Sequence, residues 1–171
     1  MQVNTLILGA GAAGLMCAAH AGPNTLVIDH AKKPGEKIRI SGGGRCNFTN
    51  MYCTPQNFLC ENPHFAKSAL ARYTQWDFIE LVAKHGIAYH EKTLGQLFCD
   101  GKSTQIVQML LDEMAHAEAA LWLETTVASV DYDGTDFVVG LEHKSKRKTV
   151  LARNLVLATG GKSIPKMGAT G

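Results

Sequence analysis

Chemistry in this sequence begins at three glycines. Residues 9–14 read Gly9-Ala10-Gly11-Ala12-Ala13-Gly14, a G-x-G-x-x-G string, and an acid, Asp29, stands 20 residues after Gly9. Each position has a mechanical use: Gly9 permits a tight turn, Gly11 lets the backbone approach a pyrophosphate at a helix N-terminus, and Gly14 allows close packing of helix on strand. Asp29 can accept hydrogen bonds from both hydroxyls of an adenosine ribose, and it disfavours a 2′-phosphate, so NADP is not expected there. FAD and NAD both satisfy this fingerprint, and a glycine-rich turn with no ligand is the plain alternative.

Two later segments lean toward FAD. Residues 155–161, Leu-Val-Leu-Ala-Thr-Gly-Gly, read as a buried strand running into small residues after a β-meander, an organisation found in many FAD domains. The other is Ser41-Gly42-Gly43-Gly44-Arg45-Cys46-Asn47-Phe48-Thr49-Asn50. A backbone without Cβ atoms can approach a flat ring or a phosphate and present several N–H donors, and Arg45 can neutralise phosphate or a reduced flavin.

That string, taken with Gly9 to Gly14, Asn62-Pro63-His64-Phe65 and Trp76-Asp77-Phe78, closely resembles the BaiN/YhiN-like bacterial flavoproteins, a family of NAD(P)/FAD-dependent oxidoreductases. The resemblance runs over essentially the whole chain. It implies a non-covalent FAD with its adenosine half on Gly9, Gly11, Ala12, Ala13, Gly14, Asp29 and His30. It further implies that the loop carrying Lys37, Gly42, Gly43, Arg45, Cys46 and Asn47 lies against pyrophosphate and flavin, that Val127 offers its backbone to adenine, and that Thr159, Gly160 and Gly161 close over the nucleotide. NAD(P)H or a small substrate would donate hydride. The first helix is about one turn shorter than in many relatives, and Glu36 stands where many carry Arg.

Other motifs fall away. Gly101-Lys102-Ser103 and Gly161-Lys162-Ser163 lack the upstream glycine of a P-loop, and the 7 His are scattered without ligand spacing, so no metal site is expected. Cys46, Cys53 and Cys60 recur every seven residues, but no helix can span that glycine- and proline-containing stretch. No catalytic acid or base can be nominated.

The elements that must position these residues follow from periodicity. A strand over 3–8, a helix over 12–21 closed by Gly22-Pro23 and a strand over 25–28 form a βαβ core in residues 1–30. A long cofactor loop (31–54) carries no period. A helical insertion (55–120) holds helices over 65–73, 77–85 and 104–119, with short strands at 87–89 and 96–99. Strands over 126–132, 137–141, 149–151 and 155–158 make the meander and return strand of 121–161, with hairpin turns at Asp133-Gly134 and at the basic run 144–148.

With 171 residues, 46% hydrophobic and 19% charged, the chain can bury a core, and a net charge of +2 announces no nucleic-acid or membrane partner. Five unpaired-looking cysteines and no apolar run near ~20 residues lead to the expectation of a cytoplasmic protein acting on a small molecule or electron acceptor. The fold class expected is α/β, a doubly wound, Rossmann-like FAD/NAD(P)-binding domain over residues 1–171. The end inside Gly168-Ala169-Thr170-Gly171 leads to the expectation that a C-terminal substrate and flavin portion is absent. Two alternatives stay open: a non-catalytic remnant of such an enzyme, and an NAD-binding dehydrogenase domain without flavin.

Overall fold

The apolar run after Met1 becomes strand β1 (Gln2–Leu8), whose last four residues are all buried, and it crosses through the glycine turn into α1 (Ala12–His20) and back to β2 (Thr25–Ile28), buried throughout. The computed structural model describes residues 1–161; the expected glycine-rich turn at Gly168–Gly171 and the Gly161-Lys162-Ser163 string extend outside them. The described chain forms two compact units, residues 1–38 with 110 onward, and residues 39–109.

The first unit is a six-stranded sheet in the order β6-β2-β1-β9-β8-β7, where the remaining strands are β6 (Ala120–Trp122), β7 (Thr125–Tyr132), β8 (Phe137–His143) and β9 (Lys146–Leu157). Strands β6, β2, β1 and β9 are parallel, while β8 adds antiparallel to β9 and β7 antiparallel to β8. This is the parallel Rossmann-like α/β architecture expected from the sequence. Val3, Leu6, Leu8, Leu26 and Ile28 join Val139, Leu141, Val150 and Ala152 in one buried cluster, so the meander and the parallel strands share a core. Gly14, Leu15 and Ala18 are the buried residues of α1.

The second unit contains β3 (Asn47–Asn50), β4 (Tyr89–Glu91) and β5 (Gln96–Cys99) in a three-stranded antiparallel sheet, order β3-β5-β4. Phe48 on β3 packs against Phe78 of α4 (Gln75–Lys84), with ring centroids 6.1 Å apart, and edge-on against Tyr89 at 5.5 Å. Helix α4 starts where Thr74 accepts from the Asp77 N–H and Asp77 accepts from the Thr74 N–H, a reciprocal cap.

Several expectations are corrected. Residues 31–54 are not a featureless loop: they hold α2 (Glu36–Ile40), a 3-10 turn (Ser41–Gly44) and β3. A five-residue helix is too short to display a period, and β3 exists through its pairing with β5, which local sequence does not reveal. Within 55–120 the strand expected over 96–99 is β5, and the helices are α3 (Lys67–Arg72), α4 and α5 (Thr104–His116), each with ends shifted from those expected; β6, beginning at Ala120, was not expected. The strand expected over 87–89 is displaced to Tyr89–Glu91. The segments 149–151 and 155–158 are one strand, because Arg153 and Asn154, polar letters that suggested a break, are exposed residues in a ladder that continues on β1.

Candidate functional site

Backbone geometry at the β1–α1 turn separates the three glycines by what each must accommodate. Gly9 has φ +113°, a conformation that side chains resist, and a Cβ there would collide with the carbonyl oxygen of Ala158. Its N–H donates to Ile28 O at 2.8 Å, and Ala158 N–H donates to Leu8 O at 2.8 Å, so the turn is sewn to the ends of β2 and β9. A Cβ on Gly14 would overlap the carbonyl oxygen of Gly9, which is the close helix-to-strand packing the motif calls for. Gly11 differs: its backbone is ordinary (φ −84°, ψ −170°), and a Cβ there would meet no atom within 4 Å. It is the N-cap of α1 and no side chain caps it, so the N–H groups of the first turn, with the positive end of the helix dipole, are left for another acceptor.

Asp29 is held at the end of β2 by backbone bonds on both sides: its N–H donates to Trp122 O at 3.0 Å and Thr125 N–H donates to its carbonyl at 2.9 Å. Its carboxylate does two local jobs. Oδ2 accepts from Ala10 N–H at 2.7 Å and Oδ1 accepts from Ala31 N–H at 2.9 Å, with His30 Nδ1 3.5 Å from Oδ1. Each carboxylate oxygen has a further lone pair, so both can still accept from the hydroxyls of a ligand.

These residues surround a cavity of about 600 Å³, within the range of small-molecule and cofactor sites. Of the residues expected at the site, Gly9, Gly11, Ala12, Ala13, Asp29, His30, Lys37, Val127, Thr159 and Gly160 line it. Gly14 lies behind the turn, and Gly161 accepts a hydrogen bond from Lys37 Nζ at 2.9 Å. Lys37 thereby ties α2 to the segment after β9. Glu36, Ala31, Thr125, Thr126 and Ala158 also line the cavity and were not nominated. Thr125 and Thr126 precede Val127 on β7 and reach the cavity through the sheet, so no local signal in the sequence marked them.

Gly42, Gly43, Arg45, Cys46 and Asn47 belong to the second unit. There Gly42 (φ +59°) has Phe98 Cε1 2.6 Å and Asn47 N 2.8 Å from where a Cβ would sit, so a side chain is excluded, while a Cβ on Gly43 would meet nothing within 4 Å. Cys46 N–H donates to Ser41 O at 2.9 Å and Ser103 N–H donates to Gly44 O at 2.7 Å, closing the turn, and Arg45 is exposed. Cys46 is buried, and burial pushes its thiol up despite a hydrogen bond with Ser41. Burial, with Cys46 and Asp100 nearby, pushes Cys99 up to about 11. Both sulfurs are packed neutral thiols rather than nucleophiles. Among the described residues no group of His, Cys, Asp or Glu could hold a metal ion, and no helix is long and apolar enough to cross a membrane.

The HI0933-like protein Rossmann domain matches residues 3–171. A ribosomal RNA dihydrouridine synthase of Escherichia coli is 55% identical over 172 aligned positions, which take in 99% of this chain but 42% of that protein. The chain therefore spans under half the length of this curated relative. Among solved structures, the E. coli quinol fumarate reductase subunit FrdA superposes with a TM-score of 0.65 at 17% identity, covering 94% of this chain and 33% of that one. A flavoprotein/dehydrogenase from Cytophaga hutchinsonii does so with a TM-score of 0.53 at 17% identity, covering 98% and 42%. At such identities the likeness is one of fold.

Proposed function

Because the chain belongs to the HI0933-like Rossmann-domain family, we propose that it is the FAD-binding part of a flavin-dependent oxidoreductase. The observation that carries this reading is the cradle at Gly11: an uncapped helix N-terminus beside a Cβ-sized space that no protein atom fills, lining the same cavity as Asp29. The first-turn N–H groups of α1 would hold the pyrophosphate, and Asp29 the adenosine ribose, without giving up the bonds it makes to Ala10 and Ala31. Val127 would meet the adenine, and Thr159 and Gly160 would border the nucleotide, with Lys37 holding the Gly161 carbonyl in place. Lys37 would supply positive charge toward phosphate. Gly42, Gly43, Arg45, Cys46 and Asn47 are proposed to face the flavin half.

FAD, when bound, supplies a ring that takes and gives two electrons as hydride; the chain's residues bind and orient it. NADH or NADPH is the proposed donor. Forming dihydrouridine from uridine adds a hydride and a proton across one ring double bond, a two-electron reduction of the kind such a cofactor performs. The 55% identity to the E. coli enzyme supports a uracil ring in ribosomal RNA as the acceptor, in place of the free small molecule expected from the sequence. The 42% coverage supports a second reading, that this chain holds the cofactor and turns over nothing alone.

Anaerobic mixing of FAD-loaded protein with NADH or NADPH tests these readings. Bleaching of the flavin band, followed by a 2 Da gain at a uridine of added ribosomal RNA, is the result expected of a complete reductase. FAD retained without bleaching supports the second reading. A folded protein that takes up no FAD contradicts both.

A further inference from the structure

Four of the chain's 17 Lys and Arg side chains fall within residues 144–148. They sit on the hairpin between β8 and β9, where His143 pairs with Lys146, Glu142 with Arg147 and Leu141 with Lys148. Lys144, Lys146, Arg147 and Lys148 are all exposed. Among the described residues no carboxylate pairs with Lys144, Lys146 or Arg147, even though Glu142 stands directly across the ladder from Arg147. Lys148 lies with Nζ 5.6 Å from the centre of the Trp122 ring, which itself stacks on His143 at 4.8 Å and 27°.

The turn is also strained. Lys144 (φ 48°) and Ser145 (φ 62°) both occupy the left-handed region that glycine or asparagine normally fills in a two-residue hairpin. Lys144 N–H donates to Glu124 O at 3.2 Å, and Thr125 Oγ1 lies 2.7 Å from His143 Nδ1, pinning the hairpin to the start of β7. A backbone conformation that opposes its own sequence, held by surrounding bonds, thus carries unpaired cationic side chains at its tip.

We propose that this hairpin binds the phosphodiester backbone of RNA, with Lys144, Lys146 and Arg147 as the phosphate contacts. The proposal rests on the reading of ribosomal RNA as substrate and adds a surface to it. One observation favours RNA over an anionic membrane: the hairpin has no apolar side chain from Glu142 to Lys148 that could anchor in lipid.

The test is a salt titration of binding to a fluorescent, single-stranded ribosomal RNA oligonucleotide, using the purified chain and a Lys144→Gln/Lys146→Gln/Arg147→Gln variant. A Lys67→Gln/Arg72→Gln/Lys102→Gln variant removes the same net charge from exposed positions elsewhere. The slope of log affinity against log salt should fall in magnitude by about 2 in the hairpin variant and stay at the wild-type value in the control. Lys146→Gln alone, expected to remove about a third of that change, serves if the triple variant does not fold. RNA binding with equal slopes in wild type and hairpin variant overturns the hairpin proposal and leaves the substrate reading standing. No salt-dependent RNA binding by the wild type overturns both. Binding to phosphatidylglycerol vesicles but not to RNA, lost in the hairpin variant, assigns the hairpin to membranes and overturns the proposal.

Discussion

The carboxylate of Asp29 accepts a hydrogen bond from the Ala10 N–H at 2.7 Å, joining the acid at the end of β2 to the middle of the glycine turn. The residue proposed to hold the ribose is thus also part of what shapes the phosphate cradle. Asp29→Ala should therefore cost about 2 kcal/mol of stability as well as FAD affinity, because it leaves the Ala10 and Ala31 N–H groups without their charged acceptor. Asp29→Asn keeps one acceptor oxygen and should lose less stability. Denaturant melts of the two variants, read beside FAD titrations, check this; equal stability of wild type and Asp29→Ala would mean the bonds contribute nothing.

Gly11 and Gly14 should separate binding from folding. Gly11→Val places its Cβ where no protein atom lies within 4 Å, so the protein should still fold, losing about 1 kcal/mol through a poorer N-cap, while FAD affinity falls at least tenfold. Gly14→Ala puts a methyl onto the Gly9 carbonyl and should destabilise the fold by about 3 kcal/mol or more. Thermal melts with and without FAD distinguish the two outcomes.

The buried thiols predict a pH dependence. Cys99 is raised from 9.0 to about 11 and Cys46 is raised as well, so the native state binds these protons more tightly than the unfolded chain. Their contribution is fully present below pH 9 and is lost as pH climbs toward 11. Stability measured over that window should fall less steeply in Cys99→Ala than in wild type. In the native protein at pH 8, iodoacetamide should modify exposed Cys60 ahead of buried Cys46 and Cys99, as peptide mass mapping would report.

The strained hairpin yields a stability test independent of ligand. Ser145 holds φ 62°, so Ser145→Gly should stabilise the fold by about 1 kcal/mol. A denaturation midpoint unchanged or lowered in that variant would remove strain from the account of the turn.

How much was legible in the sequence depended on how local each feature is. The β1–α1–β2 core could be read because Gly9, Gly14 and Asp29 have requirements set within about thirty residues of chain, and strand, turn and helix each leave their own period. The hairpin at Asp133-Gly134 was equally local, with Asp133 accepting from both Thr135 and Asp136 N–H at 2.9 Å. Strand β3 was not legible, because Asn47–Asn50 owes its extended form to β5, some fifty residues away. Strand β9 looked broken because Arg153 and Asn154 interrupt its apolar letters, whereas a sheet strand tolerates polar residues wherever it meets water. At the site, the glycines and Asp29 announced themselves by spacing. Thr125, Thr126 and Ala158 did not, since they line the cavity only because the sheet brings the ends of β7 and β9 beside Gly9.

Titration of the purified chain with FAD, followed by flavin fluorescence and calorimetry, tests the central claim most directly. One FAD per chain, bound with micromolar or tighter affinity and weakened at least tenfold in the folded Gly11→Val variant, is the predicted result. Folded wild-type chain that neither retains FAD through purification nor takes it up on titration would contradict it.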